Sequence, residues 1–144
     1  MFPRNPTAQQ VSEHLLDLTG RALIAGDAQA FTSAFMCPFE LETANGKRMC
    51  HAPRDIQDVF QTVHDHLKQM RVTILARHCV AAEFRTPDEV VATHETRLIS
   101  NGLLIEDSFP TLSVIVRGPN DAWKIRAASY DVPENSLYHS AFDR

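Results

Sequence analysis

Residues 72–130 read VTILARHCVAAEFRTPDEVVATHETRLISNGLLIEDSFPTLSVIVRGPNDAWKIRAASY, and the period-two alternation of apolar and polar side chains in this stretch decides the fold. Val72, Ile74, Ala76, His78, Val80, Ala82 and Phe84 fall on one face of a long strand, and Thr73, Leu75, Arg77, Cys79, Ala81 and Glu83 on the other. Thr86-Pro87-Asp88 turns the chain into a second strand over residues 90–99. Asn101-Gly102 is a two-residue turn signal leading into a third strand over residues 104–117. Gly118-Pro119-Asn120-Asp121 then leads into a last strand, residues 123–130.

Upstream of this stretch the period is helical. Thr7 and Gln10 form the pattern of a capping box, and Val11, Leu15, Leu18, Ala22 and Ala25 recur on one face, which predicts a helix over residues 8–25. Gly26-Asp27 stops it and caps a short second helix carrying Ala30, Phe31, Ala34 and Phe35, with Pro38 ending the unit. Phe39, Leu41 and Thr43 alternate with Glu40 and Glu42, and Asn45-Gly46 predicts a hairpin into Lys47 to Cys50. Pro53 opens a third helix over residues 53–70, with Ile56, Val59, Phe60, Val63, Leu67 and Met70 as its apolar stripe.

The chain of 144 residues fits one domain, residues 1–144, with a core over about residues 8–132 and a C-terminal tail over 133–144. A net charge of −4 with interspersed signs offers no basic stripe, so neither nucleic acid nor a membrane surface is expected as a partner. The first residues lack the apolar run of a signal peptide and no segment approaches the ~20 apolar residues of a membrane span, which predicts a cytoplasmic protein. Cys37, Cys50 and Cys79 lack metal-type spacing and read as reduced thiols.

Two helices ending in Ala-Gly-Asp, a short hairpin, a third helix and four long strands with Trp123-Lys124-Ile125 near the end resemble the nuclear-transport-factor-two-like superfamily, its SnoaL-like and steroid-isomerase-like members above all. The resemblance spans residues 11–132 and implies an α+β cystatin-like cone, α-α-β-β-α-β-β-β-β, in which a curved antiparallel sheet wraps around three N-terminal helices and leaves a pocket at the open end. Members include isomerases, dehydratases, cyclases, epoxide hydrolases and non-catalytic modules, so the fold does not assign the chemistry. Steroid isomerases carry a tyrosine on the first helix and an aspartate base on the strand after the second. The matching positions hold Thr19 and Thr43, and threonine cannot act as a carboxylate base.

A register argument gives a candidate site. If residues 85 and 89 pair, Val80 faces His94 and His78 faces Thr96, which makes the two histidines diagonal neighbours about 5.5–8 Å apart on the pocket face. A two-residue turn at Asn101-Gly102 sets Thr96 opposite Asp107 and His94 opposite Phe109. The expected catalytic cluster is therefore His78, His94 and Asp107, with a carboxylate fixing an imidazole tautomer so that the other nitrogen moves a proton. Dehydratases of this fold add pocket tyrosines, to which neither Tyr130 nor Tyr138 aligns. Phe60, Val80, Phe84, Ala92 and Trp123 are the expected pocket walls.

No Gly-rich phosphate cradle or metal-spaced ligand set is present, so no cofactor and no metal are expected. His64 and His66 lie about 200° apart on their helix and read as solvated flanks. Arg77, Glu95 and Arg97 are expected to form an ion-pair ladder on the outer sheet face, where Leu75, Val91, Ile99 and Leu104 add apolar surface suited to a homodimer. Leu137, Tyr138 and Phe142 would cover an edge of the same subunit or reach the partner. The first functional reading is a lyase, isomerase or cyclase using acid/base chemistry on an apolar carbonyl-type small molecule. The second is a non-catalytic ligand-binding or assembly module, in which the histidines only pack and hydrogen-bond.

Overall fold

The computed structural model describes residues 5–105 and 108–130. Helix α1, Ala8–Ala25, starts at the expected capping box: the Thr7 hydroxyl accepts from the Gln10 amide at 3.1 Å, and the Thr7 amide donates to the Gln10 side chain at 2.9 Å. Gly26 ends it in a left-handed conformation, φ 79°. The Asp27 carboxylate accepts the Ala30 amide at 3.1 Å and opens α2, Ala28–Ser33. Helix α3, Pro53–Gln69, has the Asp55 carboxylate accepting the His51 and Ala52 amides, which otherwise lack helical partners.

The strands are β1 Phe35–Thr43, β2 Gly46–Cys50, β3 Ile74–Thr86, β4 Glu89–Ser100, β5 Leu103–Leu104, β6 Phe109–Arg117 and β7 Trp123–Tyr130. They form one sheet in the order β2-β1-β7-β6-β4-β3, with β5 hydrogen-bonded to β4. The sheet is mixed, because β1 runs parallel to β7 while the other pairs are antiparallel. Pro38 lies within β1, where the ladder to β7 is broken between Phe35 and Glu40, so it does not end the helical unit as expected. The first hairpin turns on Ala44 and Asn45, one residue earlier than the Asn-Gly signal suggested. Asn101-Gly102 does form the second turn, both residues with positive φ and Ser100 paired with Leu103. The expected third strand is split into β5 and β6. Ile99 pairs with Leu104 but Thr96 pairs with Phe109, an offset of two residues that preserves which face each side chain takes.

Residues without a partner opposite them lie at Val80 and Arg85 in β3 and at Arg126 in β7. Such bulges bend a strand and increase its twist, and here they curl the sheet around the helices. The concave face packs two clusters: Phe31, Phe39, Phe60, Leu98 and Phe109 with α3, and Val11, Leu15, Val90, Ile115 and Trp123 with α1. No helix is long and apolar enough to cross a membrane.

His64 is not a solvated flank. Its Nδ1 lies 2.6 Å from the Leu23 carbonyl in the last turn of α1 and its ring stacks on Phe60, tying α3 to the end of α1. A Cβ at Gly26 would come within 3.3 Å of His64 Nε2 in a backbone region that costs other residues about 1–2 kcal/mol. Gly26→Ala is therefore expected to lower stability by at least that amount in urea denaturation; an unchanged midpoint would contradict the left-handed cap.

Candidate functional site

The extra residue at Val80 decides which side chains enter the cone. From Phe84 to Ala81 the register is the expected one, with Phe84 opposite Val90 and Ala82 opposite Ala92. Past the bulge, Cys79 pairs with His94, His78 with Glu95 and Arg77 with Thr96. The faces are thereby exchanged. His78 is exposed on the outer face, so it does not join His94, and the expected histidine pair is not formed. Arg77, assigned by simple alternation to an outer ladder with Glu95 and Arg97, instead points toward α1, as does Leu75, which pairs with buried Leu98. The outer pair that remains is Glu95 and Arg97, 3.8 Å apart.

A second bulge works the same way in β7. Ile125 pairs with Ile115, Arg126 is extra, and Ala128 and Tyr130 then take the inner face opposite Ser113 and Thr111. Strict alternation from Trp123 would have sent Tyr130 outward. No bulge is needed in β4, where Val90, Ala92, His94, Thr96 and Leu98 are all buried.

Between α1, α3 and this inner face lies a cavity of about 50 Å³, room for roughly three to five water molecules at ~10–15 Å³ each. Its apolar wall includes Leu15, Leu23, Phe31, Phe35, Phe39 and Val63, and its polar side is Ser12, Thr19, Arg77, His94, Thr96, Ser113 and Tyr130. None of the five expected wall residues lines it. Phe60 and Ala92 are buried in the packed clusters behind it, and Val80 and Phe84 are exposed. Trp123 packs near Phe84 beneath the Arg117 guanidinium. Asp107 lies outside the described residues, as do Tyr138 and the C-terminal tail. Among the described lining residues there is no carboxylate, and no cluster of three or more His, Cys, Asp or Glu among the described residues is placed to hold a metal ion.

Arg77 is anchored on α1. Its Nη2 donates to the Leu16 carbonyl at 2.7 Å and to the Thr19 hydroxyl, which itself donates to the Leu15 carbonyl at 2.7 Å. Gly20 makes the approach possible, since a Cβ there would lie 3.3 Å from Arg77 Nη2. The Arg77 charge acts on both titratable neighbours. Burial, reinforced by Arg77, pushes His94 from its ordinary 6.5 to about 3, so the imidazole is neutral at physiological pH. Burial raises the Tyr130 phenol, with Arg77 opposing, and it stays protonated as a donor. Thr111, paired with both His94 and Tyr130, is buried with no hydrogen-bond partner for its hydroxyl among the described residues.

No family model matches the sequence, and no curated protein does. Solved structures do. A domain of unknown function with a cystatin-like fold from Nostoc punctiforme superposes with a TM-score of 0.69 at 15% identity, covering 94% of this chain and 83% of that one. The fold is the nuclear-transport-factor-two-like cone. An NTF2-like protein with a cystatin-like fold from Novosphingobium aromaticivorans gives a TM-score of 0.66 at 15% identity over 95% of this chain and 89% of that one. A ketosteroid isomerase-like protein from Erwinia carotovora atroseptica gives 0.62 at 14% identity, over 87% and 97%. At these identities the likeness establishes the cone and leaves the chemistry to the cavity.

The His94 shift fixes the sign of a pH effect. The unfolded chain takes up a proton near pH 6.5 and the folded chain only near pH 3, so acidification between these values favours unfolding. From pH 7 to pH 4 this group alone removes about 3 kcal/mol of stability. His94→Gln is expected to lose that much less stability over the same interval, measured by urea unfolding at both pH values. An identical pH dependence in wild type and variant would contradict burial of a neutral His94.

Proposed function

We propose that this cone protein binds a small organic molecule in the cavity, an oxygen function of the ligand meeting the Arg77, His94, Thr96 and Tyr130 side and its apolar part meeting Phe31, Phe35 and Phe39. The observation that carries this reading is a cavity lined by apolar side chains together with polar ones that the pairing of β3, β4, β6 and β7 brings near one another, Arg77, His94, Thr96 and Tyr130, the combination by which ligand sites join orientation with apolar burial. Binding is favoured over acid/base turnover because an imidazole whose conjugate acid titrates near pH 3 is a weak base at neutral pH. Neither an apolar carbonyl substrate nor a His and carboxylate dyad is needed for this role.

The reading is tested by adding acetone, whose four non-hydrogen atoms match the space of three to five waters, and following backbone amide shifts. Shifts at Thr96, Ser113 and Tyr130 are expected, and Val59→Trp, which fills the cavity from α3, abolishes them while the protein stays folded. Shifts that persist in the filled variant would refute it.

A lyase or isomerase function is the second reading, favoured by one feature: a protonated Tyr130 beside the Arg77 charge could polarise a carbonyl oxygen. It requires that His94→Gln or Tyr130→Phe reduce turnover on a panel of enones, hydroxy-carbonyl compounds and epoxides. Unchanged turnover would remove these residues from any mechanism.

The outer sheet face supports a homodimer. Ile74 and Val80 of β3 and Leu112 of β6 are about half exposed, and Leu103 and Leu104 of β5 project near Ile99. Clustered apolar surface of this kind on a sheet is characteristic of an interface. Sedimentation is expected to show a dimer that Leu112→Glu weakens by about ten-fold or more, the effect of losing ~1.4 kcal/mol. A wild-type monomer at high micromolar concentration would contradict it.

A further inference from the structure

Resting on the binding reading above, we propose that the ligand class is a small alcohol of roughly three to five non-hydrogen atoms, its hydroxyl donating a hydrogen bond to the His94 ring. His94 is only 4% exposed, and it lines the cavity. Burial keeps its imidazole neutral at physiological pH. A neutral imidazole has a proton on one nitrogen and a lone pair on the other, so in either tautomer one buried nitrogen requires a donor.

The ring makes no hydrogen bond within the described residues. Its neighbours across the sheet do not supply one. Thr111, opposite it on β6, has a buried hydroxyl that is itself without a partner among the described residues, and Cys79, opposite it on β3, carries a thiol, a weak donor. On α1 the single Thr19 hydroxyl proton is already given to the Leu15 carbonyl at 2.7 Å. The open nitrogen of His94 is therefore left to a group that enters the cavity.

Hydrogen-bond matching and size choose the alcohol. A ketone or an ether only accepts, so on binding it leaves the His94 nitrogen buried and unpaired, which is costlier than never burying it. A hydroxyl donates and accepts at one atom. It serves His94 while taking a hydrogen bond from the Thr96 or Ser113 hydroxyl, which line the same cavity. A protonated amine also donates, but it gives up the hydration of a full charge among apolar walls. The alkyl part of an alcohol is buried against Leu15, Phe31 and Val63, and a cavity of about 50 Å³ limits it to a few carbons.

The test compares isopropanol with acetone, two molecules of the same skeleton, by amide shift titration and by the ring-nitrogen resonances of His94. Isopropanol is expected to bind about five-fold more tightly, equivalent to the ~1 kcal/mol of one hydrogen bond. It should also move the unprotonated ring nitrogen of His94 to lower frequency, the response of an imidazole that accepts a hydrogen bond, while acetone leaves that resonance in place. His94→Phe keeps a ring and removes both nitrogens, and it should bring the affinity ratio to one or below. Should that variant fail to fold, the wild-type ring-nitrogen resonance decides. Isopropanol binding no tighter than acetone, or leaving the ring nitrogen unmoved, overturns the alcohol assignment, and acetone shifts at Thr96 and Ser113 then leave the binding reading standing. Absence of cavity shifts with both molecules overturns both readings.

Discussion

Between Cys79 and Ala81 the strand β3 carries one residue more than β4, and the arrangement of the cavity depends on that residue. Because side chains alternate along a strand, one extra residue exchanges the two faces of everything before it. Arg77 and Leu75 turn inward, and Ile74 and His78 outward. Without the bulge the cone would hold a second imidazole in place of a guanidinium, and the sheet would lose the contact that ties it to Leu16 and Thr19 on α1. The bulge at Arg126 does the same for Tyr130. Two insertions, on strands at different places in the sheet, thus bring a cation and a phenol toward the unbulged His94.

A cationic side chain on the inner face of a small domain carries a desolvation cost that a methionine or leucine at that position would avoid. Here the cost is offset by hydrogen bonds from Nη2 to two α1 oxygens and by the close approach that Gly20 allows. The consequence passes to the neighbours. His94 is held neutral and Tyr130 protonated, so the polar end of the cavity carries its positive charge on Arg77. Buried polar groups are a costly way to build a core, and here several of them converge on one cavity.

The sequence disclosed the fold more fully than the site, for a physical reason. Helical and strand periods are properties of many residues at once, so α1 at Ala8–Ala25, α3 at Pro53–Gln69 and the Asn101-Gly102 turn could be read directly. Site geometry depends on parity, which a single residue reverses. Nothing in Cys79-Val80-Ala81 marks a bulge, since it lacks the glycine that often signals one, and Arg126 is equally unmarked. His94 takes the inner face that alternation predicts because β4 keeps its period beside Val90 and Ala92; Arg77 and Tyr130 take inner positions that alternation does not predict because β3 and β7 carry bulges. The parallel pairing of β1 with β7 was hidden for a related reason. It joins strands far apart in the chain, and no local pattern encodes that neighbour.

The most direct test of the bulge-centred account is the set of nuclear Overhauser contacts made by the His94 ring in the folded protein. Cross-peaks to Cys79 and to the Arg77 side chain, with none to His78, are expected from a β3 that carries its extra residue at Val80. Cross-peaks from His94 to Val80 and His78 would place β3 in unbroken alternation, return Arg77 to the outer face and contradict the account.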